Sequence, residues 1–216
     1  MVPTWSRLKS AASSRGSLLA LAASTAGMTF AAALPVAAAQ AASCPETTLL
    51  QPFKAIEEKE KIKEPGYYSL VAGGDFEAGE AAWTLSGRAK VGSGGAKSPL
   101  TAIEGKSSLD LPEGASAQSP LTCVETNDRT FRFLDRSEGT AATVTARVVY
   151  ETALGSVAVV VGTLAPGASW EPSPILHSGA AVAAAIKGGI AHMSIRLTSS
   201  KGTARIDDVY LDPRMR

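Results

Sequence analysis

The chain has 216 residues, with 21 Lys+Arg against 20 Asp+Glu, a formal charge of +1, and aromatic residues make up 6% of it. So even a balance lacks the clustered basic face that tracks a phosphate backbone, which excludes nucleic acid as a partner. The length suits a single domain with a hydrophobic core of its own.

The first element is an export signal. Arg7, Lys9 and Arg15 precede an alanine-rich apolar run over 17–39, and no acid occurs before position 43. A basic head, an apolar middle and small residues at a cleavage point form a secretory signal. Ala37-Ala38-Ala39 and Ala39-Gln40-Ala41 both offer the small-x-small pattern, so 1–42 is assigned to the signal peptide. A retained anchor is the alternative, because the run approaches the roughly 20 residues that span a bilayer. Ser24, Thr25, Gly27 and Pro35 interrupt it and favour cleavage, with no membrane span left afterwards. Cleavage removes three bases and no acid, leaving 18 bases against 20 acids, a formal charge of −2. The expected destination is the extracellular space of a bacterium.

Cys44 and Cys123 both lie in the mature part. In an oxidising compartment an even count invites a disulfide, and closing so long a loop contributes about 4 kcal/mol in the chain-entropy account. The rival is lipid attachment, since residues 41–44 weakly match a lipoprotein cleavage box. That box prefers leucine where Ala41 stands, and it would leave Cys123 unpaired.

Residues 43–66 form a charged arm. Glu57 and Lys61 are spaced for an i,i+4 pair on a short solvated helix, and Pro65-Gly66 ends it.

From 67 to 216 short β-patterned runs alternate with Gly, Pro and Ser clusters about every ten residues, the signature of a sandwich or barrel. In 141–150, Ala142, Val144, Ala146, Val148 and Tyr150 share one face and Thr143, Thr145 and Arg147 the other. Ala191, Met193, Ile195 and Leu197 repeat the alternation late in the chain. Further strands are predicted at 67–71, 83–85, 89–91, 107–111, 130–134, 156–164 and 204–211, with 92–96 as a mobile loop. Alanines, Val182 and Ile186 at helical spacing predict one short helix over 179–187, closed by Gly188-Gly189.

Catalytic chemistry finds little support. Serine catalysis needs a base within hydrogen-bond reach, and the chain offers only His177, in a proline-rich loop, and His192, on a strand surface. Two histidines and two cysteines lack zinc-ligand spacing. Asp207 and Asp208 are strand neighbours, expected to point to opposite faces and so unable to flank one bond together. The chain is therefore read as a non-enzyme.

Gly73-Gly74-Asp75-Phe76-Glu77, then 83–87 (WTLSG), and 204–211 (ARIDDVYL) resemble the first and last strands of carbohydrate-binding modules with a galactose-binding-like jelly roll. The serine-rich 107–112, the 117–123 run ending in Cys123, and Phe131-Arg132-Phe133 also resemble segments of a group of secreted actinobacterial proteins. The resemblance covers about 67–213. It implies an all-β, two-sheet antiparallel jelly-roll sandwich with the single short helix. It also implies a structural calcium between first and last strands, held by the side chains of Glu77 and Asp207 with main-chain oxygens near Asp75 and Ser107, a set that suits a hard cation. Asp75 stands where many such modules have glycine.

Sugar recognition in such modules uses exposed aromatic rings. Trp83 is expected in the core, which leaves Trp170, Tyr67 and Tyr68 as ligand-binding candidates, one of the two tyrosines facing outward. The expected function is a secreted, non-catalytic binding module for a carbohydrate or another cell-envelope component. The alternative is a structural or adhesive surface protein with no small ligand.

Overall fold

A computed structural model describes residues 44–45, 67–80, 82–98, 103–152 and 154–212. The signal over 1–42, the pair Glu57 and Lys61, and nearly all of the 43–66 arm lie outside the described residues. Twenty-three residues extend without interruption in each of two long strands, β7 (Thr130–Thr152) and β11 (Ile190–Asp212). Sequence patterning had divided each in two; the intervening Gly139 and Gly202, both at positive φ, let the chain bend while the ladder continues.

Around this pair sit β1 (Ser69–Leu70), β2 (Thr84–Ser86), β3 (Lys90–Ser93), β4 (Ser107–Leu111), β5 (Ser116–Gln118), β6 (Thr122–Glu125), β8 (Gly155–Leu164), β9 (Glu171–Pro172) and β10 (Leu176–His177). All pairings are antiparallel and join one 11-stranded sheet. Bulges between Ser199 and Thr203 divide the β7–β11 ladder into two halves. One half carries β3, β4 and β1 on the β11 side and β9 and β10 on the β7 side. The other carries β2, β5, β6 and β8.

Leu109, Phe131, Phe133 and Ile206 from the first half and Val124, Val144, Val148 and Ile195 from the second belong to one buried cluster. The sandwich therefore has two layers that are halves of one curled sheet. As the pattern predicted, Ala142, Val144, Ala146 and Val148 are buried, and Thr143, Thr145 and Arg147 are only partly so. Burying such side chains contributes about 1.5–3 kcal/mol each for the larger ones.

The predicted helix is α1 (Ala180–Ile186). Its buried face is made by Ala180 and Ala184, whereas Val182 and Ile186 are 65% and 80% exposed. Gly188 at positive φ and a bond from Gly189 N to Ala184 O end it.

Cys44 is bonded to Cys123 across 79 residues, with Cα atoms 5.6 Å apart. The sulfur that a lipid would need is committed to that bond. Trp83 is buried against Phe76, and its Nε1 donates to Ala72 O at 3.2 Å. Of the segment expected as a loop at 92–96, Gly92 and Ser93 belong to β3, and Ala96 is buried.

Candidate functional site

The first and last strands meet as the sequence implied. Ser69 and Leu70 of β1 pair with Leu211 and Tyr210 of β11. Immediately after β1 the chain turns over Gly74, whose carbonyl accepts from Val209 N at 3.0 Å, while Val71 N donates to Val209 O at 2.9 Å. This clamp carries Asp75 and Glu77 to the end of β11. A cavity of about 310 Å³ opens there, and Asp75, Glu77, Asp207 and Asp208 all line it.

Glu77 Oε1 accepts from the main-chain N–H groups of Lys106 and Ser107 at 2.7 and 2.8 Å. Ser107 thus presents its N–H to Glu77, where the resemblance implied a main-chain oxygen nearby. Asp207 Oδ2 accepts from Ala96 N at 2.7 Å, and its Oδ1 from Asp208 N at 2.8 Å. A Cβ on Gly105 would lie 3.2 Å from Glu77 Oε1, 3.3 Å from Asp207 Oδ2 and 3.3 Å from Ala96 O. Two carboxylates and a carbonyl therefore converge on one point, where a side chain would be a tight fit.

Asp207 and Asp208 do not point to opposite faces. A register shift falls between Asp207 and Tyr210, and Asp208 adopts φ 48°, which breaks the strand alternation and turns both carboxylates toward the cavity. Asp208 Oδ1 accepts from Tyr210 Oη at 3.0 Å, while its Oδ2 is buried with no hydrogen-bond partner. Phe76, between Asp75 and Glu77, has φ 54°. Among the described residues these are the two non-glycine positions at positive φ; Asp208 lines this cavity, and Phe76 lies between two residues that do. Strain of this kind costs on the order of 1–3 kcal/mol and persists where surrounding structure enforces it.

Burial, the proximity of Asp208 and that of Glu77 push Asp207 up to about 8, against the lowering effect of its bonds from Ala96 and Asp208. Asp208 is raised too, first by burial, then by Asp75 and Glu77. The chemistry of this donor set fits a hard cation, which would relieve both desolvation and mutual repulsion. Among the described residues no group of three or more His, Cys, Asp or Glu could hold a metal ion. Any ion here would have to be shared by two carboxylates and main-chain oxygens such as Ala96 O.

The aromatic candidates separate. Tyr67 is 39% exposed, whereas Tyr68 is wholly buried and meets Tyr210 edge to face at 6.3 Å between centroids. Tyr68 is thus removed from the ligand-binding set, because its ring forms a small cluster with Ala96, Leu134 and Tyr210. Trp170 is half-buried against the same cluster, and the Arg136 guanidinium lies 5.3 Å from its ring centroid. His177 and His192 are both exposed.

A second cavity, of about 410 Å³, lies where β9 pairs with β7, and Asp135 and Glu171 line it. Sequence reasoning passed over both. Phe131, Phe133 and Asp135 share a period-two face, so a carboxylate ending an inward-facing aromatic row was the available signal.

No protein-family model and no curated protein matches the chain. Solved structures do. One is the family 22 carbohydrate-binding module and catalytic module of xylanase 10B from Clostridium thermocellum, complexed with xylohexaose: 15% identity, TM-score 0.42, covering 63% of this chain and 27% of that one. Another is the tandem family 22 pair from Paenibacillus barcinonensis xylanase 10C: 13% identity, TM-score 0.43, covering 71% and 47%. A single family 22 module of that xylanase, xylan-binding, gives 15% identity and TM-score 0.41 over 72% and 99%. This chain thus spans about a quarter of the first structure and about half of the second. At such identities the function has to come from this chain's own residues.

Proposed function

We propose that the protein is a secreted, non-catalytic binding module for a carbohydrate or another bacterial cell-envelope component, its fold stabilised by calcium. The observation that carries the ligand reading is Trp170, a partly exposed ring with the Arg136 guanidinium 5.3 Å from its centroid, next in the chain to Glu171, which lines a cavity together with Asp135. Sugar rings present apolar C–H faces and hydroxyl donors together, so a ring beside acceptors suits them.

Glu77 and Asp207 are the residues that would hold calcium, with Asp75 and Asp208 adding negative charge around them. The ion supplies positive charge that offsets buried carboxylates and ties the first turn of the domain to its last strand. It has no assigned part in any reaction.

The test is glycan-array binding by the secreted protein beside Trp170→Ala. Retention of particular glycans by the wild type and their loss from the variant supports the reading. A bare array overturns it.

One observation favours the structural or adhesive reading. Among the described residues β8 pairs only with β7, and along it Val157, Val159 and Val160 are 50%, 49% and 55% exposed. An apolar edge strand is a template for strand addition. Concentration-dependent association with a bare glycan array would select this reading.

A further inference from the structure

Val148 of β7 is buried and Tyr150 packs against the core, yet Val159 and Val157 of β8, opposite them in the ladder and so on the same side of the sheet, are half exposed. Every residue over 155–160 is exposed, whichever side it takes. The sheet therefore overhangs its own core along β8. Among the described residues only β7 pairs with this strand, which leaves its outer side an open edge. Natural edges are blunted by charge or proline, but from Thr152 to Trp170 the chain has no charged residue and only one proline, Pro166.

We propose that β8 pairs antiparallel with β8 of a second copy of this chain, about a two-fold axis at Ala158. A strand paired with its own copy sets like against like around the axis, which a charged strand resists, and 156–160 carries no charge. In this register Val157 meets the partner's Val159, and the reverse, so β-branched pairs cover both overhanging valines. The other face is complementary too. Glu151 stands opposite Ser156 and leans toward it, its carboxylate accepting from Ser156 Oγ at 2.8 and 3.0 Å, while Arg147 stands opposite Val160. One row across the joined sheets thus runs Glu151, Ser156, the partner's Val160 and the partner's Arg147, and its symmetry mate reverses it. Acid faces base across the seam, and an axis at Val157 or Val159 loses that match. Residues 46–66 of this chain are the poorer occupant. They are rich in Lys and Glu, and they follow Cys44, which is bonded to β6 on the far side of the β7–β11 ladder from β8. Five residues a side fall short of the roughly 1,200 Å² of a stable interface, so the dissociation constant is on the order of 10–100 µM. The inference takes only the exposed edge from the structural reading, and it holds with or without a glycan.

The test is sedimentation of the secreted protein from about 1 µM to about 1 mM, beside Ala158→Asp, Ala158→Lys and an equimolar mixture of the two. The wild type should pass from monomer to dimer and stop there. Each variant alone should stay monomeric, because it sets like charges together at the axis, and the mixture should regain the dimer. Ala158 is exposed, and a thermal melt shared by all samples separates loss of pairing from loss of fold. Ala158→Cys needs no charge: directly opposed Cα atoms lie about 4.5–5.5 Å apart, within disulfide range. It should link into dimers under oxidising conditions much faster than Leu154→Cys, which is fully exposed but off the axis. A monomeric wild type, growth beyond the dimer, variants that pair as the wild type does, a mixture no better than either variant, or equal rates of linking would each overturn the inference. A bare glycan array beside a confirmed dimer removes the carbohydrate reading and leaves the pair, whereas glycans retained by a strict monomer do the opposite.

Discussion

Glu77, from the turn after the first strand, and Asp207, from the last, reach within 3.2 and 3.3 Å of the one point where a Cβ on Gly105 would sit. Residues 130 positions apart in the chain thereby line one acidic cavity. Calcium binding to the folded state alone raises stability by RT ln(1 + [L]/Kd), about 2.7 kcal/mol at a hundredfold excess over Kd. Chelation should lower the melting temperature of the wild type. It should hardly move Glu77→Ala or Asp207→Ala, which should already melt low. A wild type indifferent to chelator, with no ion found by elemental analysis, would leave Asp207 and Asp208 as carboxyls raised by burial, with no ion to offset it.

The turn that delivers Glu77 depends on Gly74. A Cβ there would fall 2.8 Å from Val209 O and 2.9 Å from Val71 O, both backbone atoms already engaged in the clamp. Gly74→Ala should therefore destabilise the domain by about 1–3 kcal/mol, through backbone displacement. Because the displaced segment carries Asp75 and Glu77, the variant should also lose its response to calcium. Urea unfolding with and without calcium measures both effects, and a variant matching the wild type in each would show the clamp to be dispensable.

Arg205 of β11 tests the same half of the sandwich from the side of β4. Its Nε lies 2.8 Å from Asp110 Oδ1, and both side chains are largely withdrawn from solvent. Its guanidinium also donates to Ser93 O, and Glu138 stands 3.7 Å away. Removing one partner of a buried pair strands the other, so Arg205→Ala should cost about 3–5 kcal/mol. Replacing both partners together, as Arg205→Met with Asp110→Leu, should cost less than Arg205→Ala alone. Equal losses in a double-mutant cycle would place the pair among weak surface bridges.

What the sequence made legible was whatever depends on period and composition. Alternation located the buried faces of β7 and β11, and Gly188-Gly189 marked the end of α1, because these signals are local. The continuity of each long strand was not legible, since Gly139 and Gly202 read as breaks until the ladder carries the chain through them. Asp208 shows the same limit within the site. Period-two reasoning sent its carboxylate away from Asp207, and only the bulge opposite Leu134 and Arg132 brings them to one cavity. Tyr67 and Tyr68 were correctly expected to diverge, but which ring faces outward was fixed by the packing of Tyr68 on Tyr210.

The pH dependence of folding gives a separate view of Asp135. Burial, with a smaller contribution from Glu171, pushes its carboxyl up to about 7 from the model-compound value of 3.8. The folded chain then holds this proton more tightly than the unfolded chain does. The stability it contributes is full below about pH 4 and is lost as pH rises through about 7. At 1.36 kcal/mol per pH unit the loss is on the order of 4 kcal/mol. Asn cannot ionise, so Asp135→Asn should lack this slope. Its stability relative to the wild type should therefore improve steadily from acid to neutral pH and level off beyond it. Denaturant unfolding of both proteins across that range measures the difference, with other carboxylates cancelling in the subtraction. Parallel curves would mean that Asp135 is ionised and satisfied in the folded state.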